Sequence, residues 1–312
     1  MKEGTSSSAV RSDETSVAVV IPVYNGRETI GRAIESAKAQ TRPPDEIAVV
    51  DDGSTDGTRE FIETQYPHVT LVTHGTNRGG SAARNSGIEA TSSEVIAYLD
   101  ADDEWKSQRI CDGLERLEKE SAGAVYCDFE RVRTRFEATL ESIWRFGRQR
   151  PSVEDNGDRA LVPKILSGEF RFGGASTLMV TRKAHLNTCG WDERFERHQD
   201  WQYMIDLLQS SVALAKSNRR LVRKYEVSSP SGANVESASR LLRREYCEAV
   251  DRAVDEGFDV EHFHRLNIVR AYLREGNYRA VCGKLGRVQW DRVNLEEFAL
   301  LLQAAIQGLS SR

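Results

Sequence analysis

The sequence predicts an α/β fold in which a mixed, mostly parallel sheet is flanked by helices, and three observations lead to this prediction. Short valine-rich apolar runs alternate with segments of helical spacing through the first half of the 312-residue chain, as in successive βαβ units. The runs are apolar throughout, which is typical of parallel strands buried on both faces. Asp-rich or Asn-rich loops directly follow three of the runs.

The predicted elements of the first half follow in a regular order. The strands are Val17–Tyr24, Glu46–Val50, Val69–Thr73 and Val95–Leu99. The helix after the first strand has the clearest spacing, with apolar residues at positions 30, 33, 34 and 37, and a further helix is predicted at Trp105–Lys119. Because the carboxyl ends of parallel strands meet at one edge of a sheet, the loops that follow the strands are expected to share a site.

The second half is less regular. Strands are predicted at Ala124–Val132 and Thr177–Thr181, and a helix at Asp200–Gln209. The arginine-rich segment Arg131–Arg150 is interpreted as a solvated segment over the site, with nucleic-acid or membrane contact as the alternative. Helical spacing dominates from about residue 237, where an apolar stripe runs through residues 295, 298, 302 and 305.

Composition limits the function classes. Hydrophobic residues make up 39%, charged residues 29%, and the net charge is −5, a balance that argues against a general nucleic-acid binder. The five cysteines include no CxxC pair, so neither a zinc site nor a disulfide framework is indicated. No stretch of 18 apolar residues and no signal-peptide pattern occurs, which predicts a cytoplasmic protein, with peripheral association at the cytoplasmic membrane face as an alternative.

The segment Asp100–Asp103 places three carboxylates in four residues after an apolar strand. Three such groups repel one another unless a cation lies among them. Oxygen ligands of this kind suit Mg²⁺ or Mn²⁺, which commonly share their coordination shell with substrate phosphates. An acidic turn that caps the following helix is the alternative interpretation.

Two further loops supply candidate nucleotide contacts. Asp51 and Asp52 open the segment DDGSTDGT, where a carboxylate after a strand can accept the N3–H of a pyrimidine base; capping of the next helix explains the loop about as well. In PVYNG, Tyr24 can lie against a base while Asn25 and Gly26 turn the chain, although an ordinary βα turn has the same pattern.

Two later segments complete the set of candidates. NRGGSAARNSG, residues 77–87, places small residues at a helix start, where backbone can approach a phosphate and Arg84 adds a positive charge; a tightly packed helix is the alternative. In HQDW, Asp200 precedes an amphipathic helix. From this residue alone a helix cap is favoured over a general base.

Taken in order, these motifs resemble the family 2 glycosyltransferases of the GT-A fold. The segments VVIPVYNG, VVDDGSTDGT, NRGGSAARNSGIEA and YLDADDEW carry the resemblance, with GWDERF and HQDW as the later acceptor-side signature, over about residues 16–225. Two departures are noted: Gln199 stands where the family has a glutamate before the base, and Trp191 replaces a phenylalanine.

The resemblance implies roles for individual residues. Asp52 would bind the uracil of a UDP-sugar, with Asp51 beside it. Asp102 would be the principal metal ligand, and Asp200 the catalytic base. Carboxylates in two separate segments also favour a direct, inverting displacement; a covalent double displacement would need a second nucleophile, for which Glu196 stays open. The other candidate contacts to the nucleotide-sugar are Pro22, Tyr24, Asn77, Gly80, Arg84 and Asp100, and the assisting metal ligands are Asp100 and Asp103.

The polar N-terminus, the extent of the resemblance and the helical spacing beyond it together predict a division of the chain, and the resemblance implies a set of partners. Residues 1–15 are expected to be a disordered lead, residues 16–236 a GT-A domain with a nucleotide-binding half (about 16–105) and an acceptor half (about 106–236), and residues 237–312 a helical extension. The partners are a nucleotide-sugar donor, a divalent metal (Mn²⁺ or Mg²⁺) and a glycan or lipid-linked acceptor, with no nucleic acid. The extension is expected to pack on the catalytic domain, with membrane or partner contact as the alternative.

Other function classes fit the motifs less well. A dinucleotide-dependent oxidoreductase needs GxGxxG after the first strand, and a P-loop NTPase needs GxxxxGKS or GKT; neither pattern occurs there. A sugar-1-phosphate nucleotidyltransferase and a non-catalytic scaffold subunit stay open as alternatives. The intact DADD segment and Asp200 argue against the scaffold.

Overall fold

The structure is a computed structural model that describes residues 10–132, 161–170, 172–225, 231–286 and 288–310. Its eight strands are β1 (Val17–Val23), β2 (Glu46–Asp51), β3 (Thr70–Thr73), β4 (Val95–Tyr98), β5 (Glu104–Trp105), β6 (Ala124–Val132), β7 (Leu178–Thr181) and β8 (Leu214–Tyr225). The helices of the first half are α1 (Ile30–Lys38), α2 (Thr58–Gln65), α3 (Gly80–Glu89) and α4 (Arg109–Lys119). Those of the second half are α5 (Leu161–Leu166), α6 (Arg182–Leu186), α7 (Gln199–Gln209), α8 (Gly232–Glu245), α9 (Cys247–Asp255), α10 (Val260–Arg274), α11 (Tyr278–Leu285) and α12 (Leu295–Ser310).

All eight strands form one sheet in the order β3-β2-β1-β4-β7-β6-β8-β5. The pairs β1–β2, β1–β4, β2–β3 and β6–β8 are parallel, and the pairs that involve β7 or β5 are antiparallel. The predicted mixed, mostly parallel sheet flanked by helices is therefore confirmed. Because β1 lies between β2 and β4, the loops that follow these three strands end at the same edge.

Burial explains why the valine-rich runs become central strands. Every residue of β4 is buried, and in β1 only Pro22 is partly exposed. On α1 the apolar positions that the spacing identified, Ile30, Ala33, Ile34 and Ala37, are buried. The helices cover both faces of the sheet in this half, so the strands carry no polar face and read as continuous apolar runs.

Two strands were missing from the sequence prediction. The helix expected from Trp105 begins at Arg109, because Glu104–Trp105 pairs with β8 as a short edge strand. β8 itself was not predicted, since its sequence LAKSNRRLVRKY carries five basic residues and no regular alternation. Near its end, Leu221 and Val222 are both buried, and the next residues, Arg223 and Lys224, are both partly exposed.

The described residues form two compact units. The first holds the whole sheet, and the second is built from residues 161–170, 194–205 and the helices beyond residue 230. In the second unit, α10 packs against α8, α11 and α12 around Val235, Val269 and Tyr272. Five helices occur where three or four were expected, and the first begins at Gly232. The proposed division at residue 237 stays a prediction.

One expectation about the chain ends needs correction, and the other stays a prediction. Residues 10–15 of the predicted disordered lead form a turn, in which Thr15 is buried and its carbonyl accepts a hydrogen bond from Arg42 (2.9 Å). On α12, Phe298 and Leu302 of the apolar stripe are 55% and 40% exposed, whereas Leu301 and Ala304 are buried. The helix therefore packs through the face next to the stripe. Most of the segment 131–150 lies outside the described residues.

Within the described residues, none of the helices is both long enough and apolar enough to cross a membrane.

Candidate functional site

Three loops at the carboxyl edge of the sheet are joined by direct hydrogen bonds. In the loop after β1, the backbone N–H of Asn25 donates to Ser54 Oγ (2.8 Å). The side-chain Oδ1 of Asn25 accepts from the backbone N–H of Thr55 (2.8 Å). Gly53 has φ = +77°, and a Cβ there would lie 2.6 Å from the Thr76 carbonyl carbon. The loops after β1, β2 and β3 are thus fixed to one another before any ligand binds.

Asp52 holds this arrangement together. The side chain is buried, and its Oδ1 lies 2.6 Å from His74 Nδ1 and accepts the backbone N–H of Arg78 (2.9 Å). Its Oδ2 accepts the backbone N–H of Gly79 (2.7 Å), while His74 Nε2 lies 3.0 Å from Ser86 Oγ. Both carboxylate oxygens expected to bind a base are therefore engaged with the chain itself.

Asp51 and Tyr24 are less committed. Among the described residues, the Asp51 side chain makes one hydrogen bond, from the Ser54 backbone N–H (3.3 Å). The ring of Tyr24 is 50% exposed directly after β1, where it can stack on a planar ligand. Pro22 pairs with Val50 on β2, and Val23 pairs with Asp51. The predicted base-pocket residues therefore lie together at the ends of β1 and β2.

The third predicted contact region is the start of α3. Asn77 is exposed and accepts the Gly79 N–H (3.1 Å), and Gly80 begins the helix. Arg84, one turn into the helix, is buried and paired with a carboxylate. Its guanidinium donates to Asp100 Oδ1 (2.7 Å) and lies over the Trp191 ring at 4.7 Å. Arg84 is thus an ion-pair partner of Asp100.

The carboxylate cluster consists of Asp100, Asp102 and Asp103, whose closest oxygens lie within 4.8 Å of one another. Asp103 is 1% exposed; its Oδ2 accepts from Ser176 Oγ (2.5 Å) and from Lys224 Nζ (2.6 Å). Lys224 Nζ also lies 3.6 Å from Asp100 Oδ2. The buried Asp103 Oδ1 has no hydrogen-bond partner among the described residues.

These charges shift the pKa values in opposite directions. Burial alone would raise the pKa of Asp100, but Arg84 and Lys224 outweigh it and lower the pKa to about 2. For Asp103, burial has the largest effect and raises the pKa to about 6, although Lys224 opposes it. Burial and the neighbouring Asp100 charge also raise the pKa of Asp102. The protein therefore stabilises the charged forms of Asp102 and Asp103 less well than water does, and that of Asp100 better.

The cluster fits a divalent metal. Carboxylate oxygens are the ligands that Mg²⁺ and Mn²⁺ prefer. The buried Asp103 Oδ1 is an oxygen that the described part of the chain leaves without a hydrogen bond, at the cost that an unpaired buried polar atom carries. Sequence analysis missed Lys224 and Ser176, which both contact Asp103. For Lys224 the only available signal is its place in a basic strand, two positions after the apolar Val222.

The predicted catalytic base lies in the second unit. Asp200 is partly exposed in the first turn of α7, and its Oδ1 accepts the backbone N–H of Trp201 (3.1 Å). The preceding His198 has φ = +60°, a conformation rarely adopted by residues other than glycine. Its ring stacks on Trp201, with centroids 4.3 Å apart. Strained backbone of this kind concentrates at functional sites.

Comparison with known protein families identifies residues 18–166 with the model of glycosyl transferase family 2. One relative is an amylovoran biosynthesis glycosyltransferase of Erwinia amylovora, 27% identical over 62% of this chain and 64% of the relative. Another is a UDP-Glc:alpha-D-GlcNAc-diphosphoundecaprenol beta-1,3-glucosyltransferase of Escherichia coli, 31% identical over 38% of this chain and 47% of the relative. The matches span 30%, 46% and 64% of the length of three curated relatives.

Solved structures share the fold over most of the chain. S. aureus TarS, residues 1–349, in complex with UDP-GlcNAc superposes with a TM-score of 0.57 at 16% identity, covering 93% of this chain and 79% of that protein. A mannosyltransferase of Pyrobaculum calidifontis in complex with GDP-Man and Mn²⁺ gives 0.57 at 18% identity, covering 95% and 81%. The expected GT-A fold is thereby confirmed.

Proposed function

Since residues 18–166 belong to glycosyl transferase family 2, we propose that this chain moves a sugar from a nucleotide-sugar, with UDP as the nucleotide, to a hydroxyl group of a glycan or lipid-linked acceptor. The observation that carries the proposal is the carboxylate cluster, which follows β4 at the sheet edge where the Asp51–Tyr24 region follows β2 and β1. A nucleoside diphosphate joins two such regions, because its base and its phosphates need different partners.

We assign the base contact to Asp51 and a positioning role to Asp52. The Asp51 carboxylate makes one hydrogen bond within the described chain, so it can accept the N3–H of uracil. Both carboxylate oxygens of Asp52 are already hydrogen-bonded, to His74 and to the backbone N–H groups of Arg78 and Gly79. This exchange of roles revises the expectation from the sequence, while Tyr24 and Pro22 keep theirs as pocket residues.

The carboxylates at residues 100, 102 and 103 would hold a divalent metal, which offsets the charge that grows on the leaving diphosphate. Asp102 is the ligand without an ion pair to Arg84 or Lys224, so it stays the principal candidate. The N-terminus of α3, at Gly80 beside the Asn77 turn, offers backbone N–H groups to a phosphate.

We propose Asp200 as the general base of a transfer with inversion. An acceptor hydroxyl is a poor nucleophile, and a carboxylate must take its proton as the new bond forms. The proton passes from the hydroxyl to Asp200, the hydroxyl oxygen bonds to the anomeric carbon, and the bond from that carbon to the diphosphate breaks. Gln199, beside the base, keeps the position polar without adding a second charge.

The acceptor class rests on the relatives. The names of two of them refer to amylovoran synthesis and to a diphosphoundecaprenol-linked sugar, so assembly of a polysaccharide on a lipid-linked intermediate is the proposed context. Such an acceptor places the protein at the cytoplasmic membrane face in our proposal.

Titration of UDP in the presence and absence of Mn²⁺ tests the donor half of the proposal. We expect UDP to bind markedly more tightly with Mn²⁺, and GDP to bind more weakly than UDP under the same conditions. Equal UDP affinity with and without Mn²⁺ would contradict the metal role. Release of UDP from a panel of UDP-sugars then separates an enzyme from a non-catalytic scaffold, because a scaffold binds the donor without hydrolysing it.

A further inference from the structure

Lys224 reaches the carboxylate cluster because of the way the sheet closes. β5 directly follows the cluster and pairs antiparallel with β8, with Glu104 opposite Arg223 and Trp105 opposite Val222. Continuing this register by one residue places Asp103 opposite Lys224, and the two side chains meet at 2.6 Å. The ammonium group is therefore delivered to the cluster by strand pairing, and not by a flexible surface contact.

The ammonium group occupies a position that a metal would share. It lies 2.6 Å from Asp103 Oδ2 and 3.6 Å from Asp100 Oδ2, two of the three residues that could ligate a cation. The side chain of Lys224 is three-quarters buried, so solvent screens these contacts weakly.

The charge balance shows what the second cation does. Arg84 pairs with Asp100, and Lys224 pairs with Asp103. Arg32 is a third cation, whose guanidinium donates to the Asp102 carbonyl oxygen (2.6 Å). Three carboxylates thus face three fixed cations, and a divalent ion alone turns the balance to an excess of positive charge. A diphosphate brings in the negative charge that makes the combination of metal and fixed cations favourable.

We propose that Lys224 is an exchangeable counter-ion of the carboxylate cluster, which competes with the divalent metal for Asp103 and Asp100 until a nucleotide diphosphate binds. This inference rests on the proposed metal–nucleotide function and extends it to the order of binding. Metal binds weakly to the free protein, and the diphosphate draws the ammonium away from the carboxylates and so strengthens metal binding. Lys224 is a positioning residue in this scheme.

Mn²⁺ binding without nucleotide tests the competition directly. Removing the positive charge of Lys224 from beside the carboxylates should change their affinity for another cation by roughly 10-fold or more. Lys224→Met should therefore bind Mn²⁺ at least that much more tightly than wild type at about pH 8. The free-Mn²⁺ EPR signal measures the affinity. The increase in Mn²⁺ affinity that UDP produces should shrink by the same factor. Lys224→Arg, which retains the charge, should behave as wild type.

The matched control is Lys216→Met, the same change on the same strand. Lys216 lies 6.0 Å from the Tyr126 ring and has no ion pair with the cluster, so Mn²⁺ affinity should not change. Mn²⁺ binding in Lys224→Met that is equal to or weaker than in wild type overturns the inference. If wild type binds neither Mn²⁺ nor UDP under any condition, the proposed function fails instead, and the two failures are distinguishable.

A measurement on the wild-type protein covers the case in which Lys224→Met does not fold. Lysine labelling with acetic anhydride, followed by peptide mass spectrometry, reports how free each ammonium group is. Mn²⁺ alone should increase labelling of Lys224 several-fold relative to Lys216, because the metal displaces it from Asp103. Labelling of Lys224 that Mn²⁺ leaves unchanged or reduces would refute the competition.

Discussion

The two units of the protein both bury titratable groups, but in opposite states. In the first unit, Asp100 and Asp103 are held against Arg84 and Lys224 as charged groups. In the second, His198 and His264 belong to an aromatic cluster with Trp201 and Phe263. Burial has the largest effect there and lowers the pKa of each histidine to about 3, so both are neutral at physiological pH.

This difference indicates which of the two units is expected to bind a charged ligand. A buried group that stays charged with incomplete compensation, such as Asp103 with its orphaned Oδ1, marks a position for an external cation. A buried group that gives up its charge, such as His264, carries no charge for an external ion to balance, and its ring packs against Trp201 and Phe263. Asp200 is the exception that tests this contrast, because it is a carboxylate in the second unit next to that neutral cluster.

The largest expected effect is that of Asp200→Asn. A large loss of turnover in this variant would show that the second unit also supplies a catalytic group and is not purely structural. The amide keeps the size of the side chain but cannot take the acceptor proton. Turnover should fall by roughly 10²–10⁴-fold, while UDP-sugar affinity stays near wild type. Steady-state kinetics with a UDP-sugar and a separate donor-binding titration measure the two quantities.

A different pattern in Asp200→Asn would change the assignment. Loss of donor binding with an unchanged rate per bound complex would make Asp200 a binding residue or a helix cap. Product that retains the donor's anomeric configuration would refute inversion and return attention to Glu196 as a nucleophile. Glu193→Gln is a suitable control, because that exposed carboxylate pairs with Arg78 outside the cluster.

Next in size is the effect of Asp102→Asn on metal-dependent binding. Changes to groups that merely support a metal ligand cost roughly 10–100-fold in metal affinity, so loss of a ligand should cost at least that. UDP affinity without Mn²⁺ and the free energy of unfolding should stay close to wild type. A variant that keeps the full Mn²⁺ enhancement of UDP binding would show that Asp100 and Asp103 suffice.

The adjacent aspartates should separate stability from binding. In Asp52→Asn, an NH₂ group faces backbone N–H donors that the carboxylate now accepts. Because these buried donors lose an acceptor, the free energy of unfolding should fall by about 1–3 kcal/mol. Asp51→Asn should cost less stability and lower UDP affinity more. Chemical denaturation and UDP titration of both variants check this. Equal loss of stability in the two variants would remove the distinction between a positioning and a base-binding aspartate.

The smallest effect concerns pH. His198 and His264 bind protons more readily in the unfolded chain, near the ordinary pKa of about 6.5, than in the folded protein, where the pKa is about 3. Their stabilising contribution is complete above pH 6.5 and declines as the pH falls below it. Asp103, with its raised pKa, changes stability in the opposite direction over part of this range.

Comparison with a variant isolates the histidines. His264→Phe keeps a ring in the aromatic cluster and removes one titrating group, so the free energy of unfolding should decline less steeply between pH 6.5 and 4.5 than in wild type. The expected difference is about 1 kcal/mol per pH unit. Identical slopes in the two proteins would mean that His264 is protonated in the folded state.

Much of the first unit could be predicted from the sequence. Strands β1, β2 and β4 are continuous apolar runs because helices cover both faces, and such runs are readable without knowledge of the partners. β8 could not be read in the same way, because its partly or fully exposed positions carry arginine and lysine, and one of its two pairing partners, β5, has only two residues. Strands of that kind are defined by their partners and not by their own sequence.

The site was predictable to the level of the loops but not of the contacts. Motif order placed the aspartates at one sheet edge, and the carboxylate cluster assembled as expected. The roles of Asp52 and Arg84 depended on His74 and Asp100, whose proximity is produced by folding and leaves no periodic signal. Lys224 lies 121 positions from Asp103, a separation at which local patterns carry no information.

The pairing of β5 with β8 also sets the order in which the protein matures during synthesis. The three cluster carboxylates leave the ribosome long before residue 224, and β5 is a two-residue strand with no other partner in the described sheet. A nascent chain therefore carries the carboxylate cluster with Arg84 but without Lys224 until β8 docks. The cluster acquires its last ion-pair partner only when the final strand of the sheet has been made.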